Sequence, residues 1–154
     1  MLNPHNKVVH LTSVHPRYDT RIFLKMCSSL AGKGYDVSLV VADGEGNEVN
    51  NGVKILDVGA SLNGRLSRMT IIVNRVFQMA KELDGEVYHL HDPELLPIGL
   101  KLKKLGKKVI FDSHEDISGQ IQSKPYINIF LKKLVSKLFQ IYETYACKKY
   151  DYVL

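Results

Sequence analysis

The sequence predicts an α/β domain: a doubly wound, Rossmann-like parallel sheet covered by helices on both faces. Three observations carry that expectation. Six short strand-like runs alternate with helical segments from one end of the chain to the other, a pattern that calls for parallel strands joined by crossover helices. The chain has 154 residues and is 45% apolar, enough for one proper core. No internal repeat, low-complexity tract or linker divides it. Right-handed crossovers then give the strand order 3-2-1-4-5, with a candidate sixth strand beyond.

The first strand is Lys7-Val8-Val9-His10-Leu11-Thr12. Asp19 or Thr20 caps a helix whose apolar positions, Ile22, Phe23, Met26, Cys27, Leu30 and Ala31, recur at helical spacing. Gly32 and Gly34 end it, and YDVSLVV (35–41) is the second strand. The polar DGEGNEVNNG (43–52) reads as a loop, and VKILDV (53–58) as the third strand. A long helix covers 66–83, with Leu66, Met69, Val73, Val76, Phe77, Ala80 and Leu83 on one stripe. The fourth strand, Glu86 to His91, delivers His89, His91 and Asp92 together. Asp92 is a natural N-cap and Pro93 a natural first helical residue. That helix ends at Gly106, and KVIFD (108–112) is the fifth strand. After SHEDISGQIQSK, Pro125 opens a last helix reaching about Lys148, and YDYVL (150–154) starts the sixth strand. In this last helix Ile127, Phe130, Leu131, Leu134, Val135, Leu138, Ile141, Tyr142 and Tyr145 are expected to face the sheet, with Lys132, Lys133, Ser136, Lys137 and Gln140 outward.

In an open parallel sheet, ligands bind beyond the carboxyl ends of the strands where the chain order reverses. Here that point lies between the first and fourth strands. Three polar clusters should meet there: Ser13 to Arg21, His89 to Glu94, and Asp112 to Asp116. His89 and His91 share one side of their strand, and His91 at its tip should project furthest into the cleft. His89 reads as a core imidazole satisfied by a backbone carbonyl or as part of the site. Asp92 is a cap or a site carboxylate, and Glu115 a solvated loop carboxylate or a ligand. His114 stands between support and site. Arg17 and Arg21 are surface charges or ligand contacts.

Several classes are excluded. The first strand is followed by SVHPRYDTR, without the G-x-G-x-x-G of a dinucleotide-binding turn. Neither a phosphate-binding Walker loop nor a nucleophile elbow is present. No apolar run is long enough to span a bilayer, which takes about 20 residues, and Met1 leads straight into the first strand, so no secretory signal is expected. Cys27 and Cys147 match no metal or disulfide spacing, which suggests a reducing, cytoplasmic setting. The net charge is +5. Residues 101–154 hold 11 lysines against 5 acidic residues, while residues 1–100 hold 10 basic and 11 acidic. An excess made only of lysine fits an anionic membrane surface better than nucleic acid, for which no binding motif accompanies it. Two rivals stay open: a zinc-dependent hydrolase using His89, His91 and His114, and a freestanding doubly wound binding module.

The segments HPRYDTRIFLKMCSSLAGKGYDVSLV (15–40), VYHLHDPELLPIGL (87–100) and VIFDSHED (109–116), in that order and spacing, resemble the N-terminal half of a two-domain glycosyltransferase of the GT-B fold, in the family 4 group. The resemblance covers almost the whole chain. It implies that residues 1–154 form the acceptor-side domain and that a second domain, absent from this chain, binds a nucleotide-sugar donor. It implies hexosyl transfer to a polysaccharide or lipid-linked glycan, with no metal or other cofactor. It makes His91 the catalytic residue reaching the transferred sugar, and His15, Arg17, Tyr18, Asp19, Arg21, Asp92, His114 and Glu115 the substrate-binding set. Many relatives carry a Gly-Gly pair in the first loop; here Pro16-Arg17-Tyr18-Asp19 stands instead, so arginine side chains would take over phosphate binding. The chain alone would fold without turning over.

Overall fold

The computed structural model describes residues 7–60, 68–112 and 129–154. Its elements run β1 (Lys7–Leu11), a π-helical stretch (Thr20–Cys27) continuing as α1 (Ser28–Gly32), β2 (Asp36–Val41), β3 (Glu48–Asn50), β4 (Val53–Asp57), a π-helical turn (Arg68–Ile72) leading into α2 (Val73–Leu83), β5 (Val87–Leu90), a 3-10 turn (Pro93–Leu95) leading into α3 (Leu96–Lys104), β6 (Lys108–Phe111), α4 (Ile129–Cys147) and β7 (Tyr152–Val153).

One sheet holds seven strands in the order β3-β4-β2-β1-β5-β6-β7. All neighbours pair in parallel except β3 with β4. The expected order is therefore present, sixth strand included, with one addition. Residues 43–52 are not wholly a loop: Glu48–Asn50 folds back antiparallel on β4. The signal was Asn51-Gly52 between Asn50 and Val53, which pair across the turn. Asn51 and Gly52 adopt positive φ, 49° and 75°, the geometry of a tight hairpin turn.

The two faces carry separate cores. The helix after β1 packs Ile22, Phe23 and Cys27 on Val37, Leu39, Val53 and Ile55. On the other face α2 and α3 lay Val76, Ala80, Leu96 and Leu102 over Val9, Leu11, Tyr88, Leu90 and Val109. Burying a side chain such as Phe23 contributes about 1.5–3 kcal/mol. The first helix starts where expected, because the Asp19 carboxylate accepts from the amides of Arg21 and Ile22. Its opening turn is widened: the amides of both Phe23 and Leu24 reach the Asp19 carbonyl, at 2.9 and 3.2 Å.

α4 departs from its expected facing in its apolar stripe, while Lys133, Lys137 and Gln140 lie outward as expected. Ser136 and Ala146 are buried, while Leu131, Leu134, Leu138, Ile141 and Tyr145 are exposed. Phe139 and Cys147 reach the core from the same inward stripe. α4 packs beside α3 and connects the outer parallel pair β6 and β7. A small-residue stripe sits closest there, and the broad apolar stripe is left outside.

Candidate functional site

The carboxyl ends of β1 and β5 stand side by side at the reversal point, and Asp92 ties them together. Its side chain occupies the helix N-cap position but makes no cap hydrogen bond. The carboxylate turns instead to the loop after β1. Its Oδ2 accepts from Thr12 Oγ1 at 2.8 Å, the Ser13 amide at 2.6 Å and Ser13 Oγ at 3.2 Å. His15 Nε2 stands 3.2 Å from Oδ1. Ser13 Oγ also reaches Glu94 Oε1 at 2.7 Å. Burial alone would raise the Asp92 pKa, yet His15, Ser13 and Thr12 together hold it below the ordinary carboxylate value. The expectation of simple capping gives way to a buried anion that shapes the first loop.

His91 does not look into an open cleft. It is 0% exposed: its amide extends the β1–β5 ladder to the Leu11 carbonyl at 3.1 Å, and its ring is packed against the side chains of His10, His89 and Asp112. Its Nε2 is 2.9 Å from His10 Nδ1, and its Nδ1 is 3.6 Å from Asp112 Oδ2. The surroundings are polar, not hydrocarbon. His89 stacks 4.4 Å from the His91 ring and 4.9 Å from that of His10. Its Nε2 finds no hydrogen-bond partner among the described residues, so no backbone carbonyl satisfies it as expected. Burial first, then neighbouring imidazoles, pushes His10 well down and His89 to about 3. Burial also lowers His91, against the opposing pull of Asp112. All three rings are therefore neutral at pH 7. His10 was read only as part of a strand; the β1–β5 register that pairs it with His89 reveals its place.

Three imidazole nitrogens, one each from His10, His89 and His91, lie within 4.8 Å of one another. They are the described residues best placed to hold a metal ion. The set differs from the one expected: His10 takes part, and His114, like Glu115, lies outside the described residues. The contact between His10 and His91 also occupies two of the nitrogens.

The arginines divide. Arg17 is buried rather than offered to a ligand: Nε and Nη2 clamp Asp43 at 2.8 and 2.7 Å, and Nη1 reaches Glu48 at 2.9 Å. Hydrogen bonding to Asp43 raises its pKa further, and the same bond lowers that of Asp43. Tyr18, at the surface, donates its hydroxyl to Glu48 at 2.7 Å. Those two side chains fasten the β2–β3 connection. Arg21 bonds Asp112 Oδ1 at 2.5 Å while much of its side chain stays exposed. His15 is 19% exposed, between Asp92 and, at 3.9 Å, the cap residue Asp19. Of the expected set, the structure thus brings His15, Asp19, Arg21, Asp92 and His91 to one rim and diverts Arg17 and Tyr18.

A family model described as Glycosyltransferase Family 4 matches residues 20–154. Among solved structures the chain is similar to a sucrose-phosphate synthase from Thermosynechococcus elongatus, at 10% identity and a TM-score of 0.66, covering 96% of this chain and 41% of that one. It is also similar to the glycotransferase of kitacinnamycin, at 10% identity and a TM-score of 0.51, covering 94% of this chain and 41% of that one. These likenesses are of fold, and the chain spans about two fifths of either structure. No curated protein matches it in sequence.

Proposed function

The chain belongs to glycosyltransferase family 4, and from that premise we propose that it is the acceptor-side domain of an enzyme moving a hexose from a nucleotide-sugar donor to a polysaccharide or lipid-linked glycan. A second domain would bind the donor, in keeping with the two-fifths coverage of the similar structures. The reaction breaks the bond between the sugar C1 and the diphosphate, which leaves with the electron pair. A new bond joins C1 to an acceptor oxygen, whose proton is lost.

In this reading the group that meets the sugar is His15 rather than His91. His15 is partly exposed at the rim and has the buried Asp92 carboxylate behind it, which fixes the ring and favours its hydrogen bonding as charge develops. His91, faced by His10 and Asp112, is a positioning residue that holds the β1 and β5 ends together. Arg21, braced by Asp112, is the cation that would orient acceptor or phosphate oxygens. The His15–Asp92 pair at the reversal point is the observation that carries this assignment.

The test is transfer of labelled sugar from nucleotide sugars to lipid-linked acceptors by the complete enzyme containing this chain, beside the 154-residue chain alone. Transfer by the complete enzyme only is expected. Turnover by the chain alone would overturn the division between two domains, and no transfer by the complete enzyme would overturn the activity.

A further inference from the structure

We propose that His10, His89 and His91 form a binding site for one divalent late-transition metal ion of the zinc class, a clamp that ties β1 to β5. The proposal goes beyond sugar transfer and does not depend on it. The backbone assembles the donors. His89 and His91 are two apart at the end of β5 and share one face of the sheet. The parallel register sets His10 of β1 directly beside His89. One nitrogen from each ring lies within 4.8 Å of the other two. Three imidazoles are a known donor set for zinc. Imidazole suits zinc, copper and nickel, whereas magnesium and calcium call for oxygen ligands.

Two further observations point to an ion. Buried imidazole nitrogens ordinarily find hydrogen-bond partners, yet His89 Nε2 has none among the described residues. The second is Asp112. Its Oδ2 faces His91 Nδ1 at 3.6 Å, while its Oδ1 is anchored by Arg21. A carboxylate in that place is the usual companion of a metal-bound histidine. It keeps the proton on Nδ1 and leaves the Nε2 lone pair of His91 turned to His10.

In the metal-free protein one proton bridges His91 Nε2 and His10 Nδ1, 2.9 Å apart. The ion takes the place of that proton, which moves to His10 Nε2, so both rings stay neutral. Two nitrogens held tetrahedrally by one zinc stand about 3.3 Å apart, so this pair parts slightly while His89 swings inward. His10 and His91 are fully buried and His89 nearly so. Such a closed site holds an ion for structure and keeps substrate off it, with water left as the fourth ligand. Asp92 follows His91 in the chain, and Thr12, two residues beyond His10, bonds its carboxylate. The clamp would thus brace the His15–Asp92 rim from below.

Equilibration of the metal-free full chain with zinc, then gel filtration and elemental analysis, tests this. One zinc per chain should be retained, and the melting temperature should rise with zinc concentration. Cobalt in its place should give the strong visible absorption of a four-coordinate ion, a readout that needs no variant. His10→Asn and His89→Phe should each weaken zinc binding by more than about a hundredfold, and Asp112→Asn by about ten- to a hundredfold, measured by competition with a chromophoric chelator. His5→Gln with His114→Gln should leave the affinity unchanged. A wild-type chain that retains no zinc would overturn the proposal. So would zinc that stays in folded His10→Asn or His89→Phe, or that leaves with His5 and His114.

Discussion

His10 Nδ1 lies 2.9 Å from His91 Nε2 across the seam between β1 and β5. With His89 beside them, this pair forms a buried cluster that stays neutral in the fold. Their folded pKa values lie below the unfolded value of about 6.5, so the unfolded chain binds protons first as pH falls. The cluster's contribution is complete above about pH 6.5 and is lost on acidification toward the folded values, at up to about 1.4 kcal/mol per pH unit for each ring. Urea unfolding between pH 7 and pH 4.5, above the carboxylate range, should show this slope. His89→Phe should flatten it by up to one proton, and an unchanged slope would show that His89 is not held neutral.

Asp92 predicts a different kind of loss. Asp92→Asn keeps the shape but removes the charge that Ser13, Thr12 and His15 address. Charge-assisted bonds of this type are worth about 1.5–3 kcal/mol. The variant should fold with stability lowered by about that amount and should transfer sugar poorly in the complete enzyme. Denaturant midpoints and initial rates measure the two effects separately.

Arg17 distinguishes scaffold from site. Its guanidinium is consumed by Asp43 and Glu48, so Arg17→Met removes the clamp on two partly exposed carboxylates, leaving Asp43 the Glu45 amide and Glu48 the Tyr18 hydroxyl, and should cost about 1–2 kcal/mol. In the complete enzyme assayed well below its melting temperature, KM for the donor should stay within about twofold. A large KM change with stability intact would return Arg17 to the ligand.

Gly99 tests the seating of α3. A Cβ there would meet the Tyr150 hydroxyl at 2.6 Å and its ring at 2.7 Å, while that hydroxyl donates to the Leu96 carbonyl at 2.6 Å. Alanine in a helix interior normally gains about 1 kcal/mol over glycine. Here overpacking should reverse the sign, with Gly99→Ala destabilising by about 1–3 kcal/mol in thermal or urea unfolding.

The sheet was largely legible in the sequence because its signals are local. Strands such as YDVSLVV and KVIFD are short apolar runs bounded by turn residues, and parallel topology then follows from the intervening helices. What escaped was set by contacts between distant residues. Asp92 looks like a cap because its local position is one, yet Ser13 and Thr12, some 80 residues away in sequence, offer its carboxylate better donors. His91 looks like a tip residue, yet the side chains of His10, His89 and Asp112 close around it. Arg17 looks like a ligand residue until Asp43 is brought against it by the β2–β3 connection. In α4 the periodicity gave the stripes, while packing against α3 and the core turned Ser136, Phe139 and Ala146 inward. The β3 hairpin was the exception, for Asn51-Gly52 announced it locally.

The most direct measurement is steady-state sugar transfer by the complete enzyme carrying His15→Gln, with Arg17→Met as the scaffold control. If the pair His15–Asp92 forms the sugar-facing group, kcat should fall by about a hundredfold with only a small drop in melting temperature, because Thr12 and Ser13 still hold Asp92, while Arg17→Met loses stability and keeps its rate. A His15→Gln enzyme that transfers at the normal rate would contradict the account.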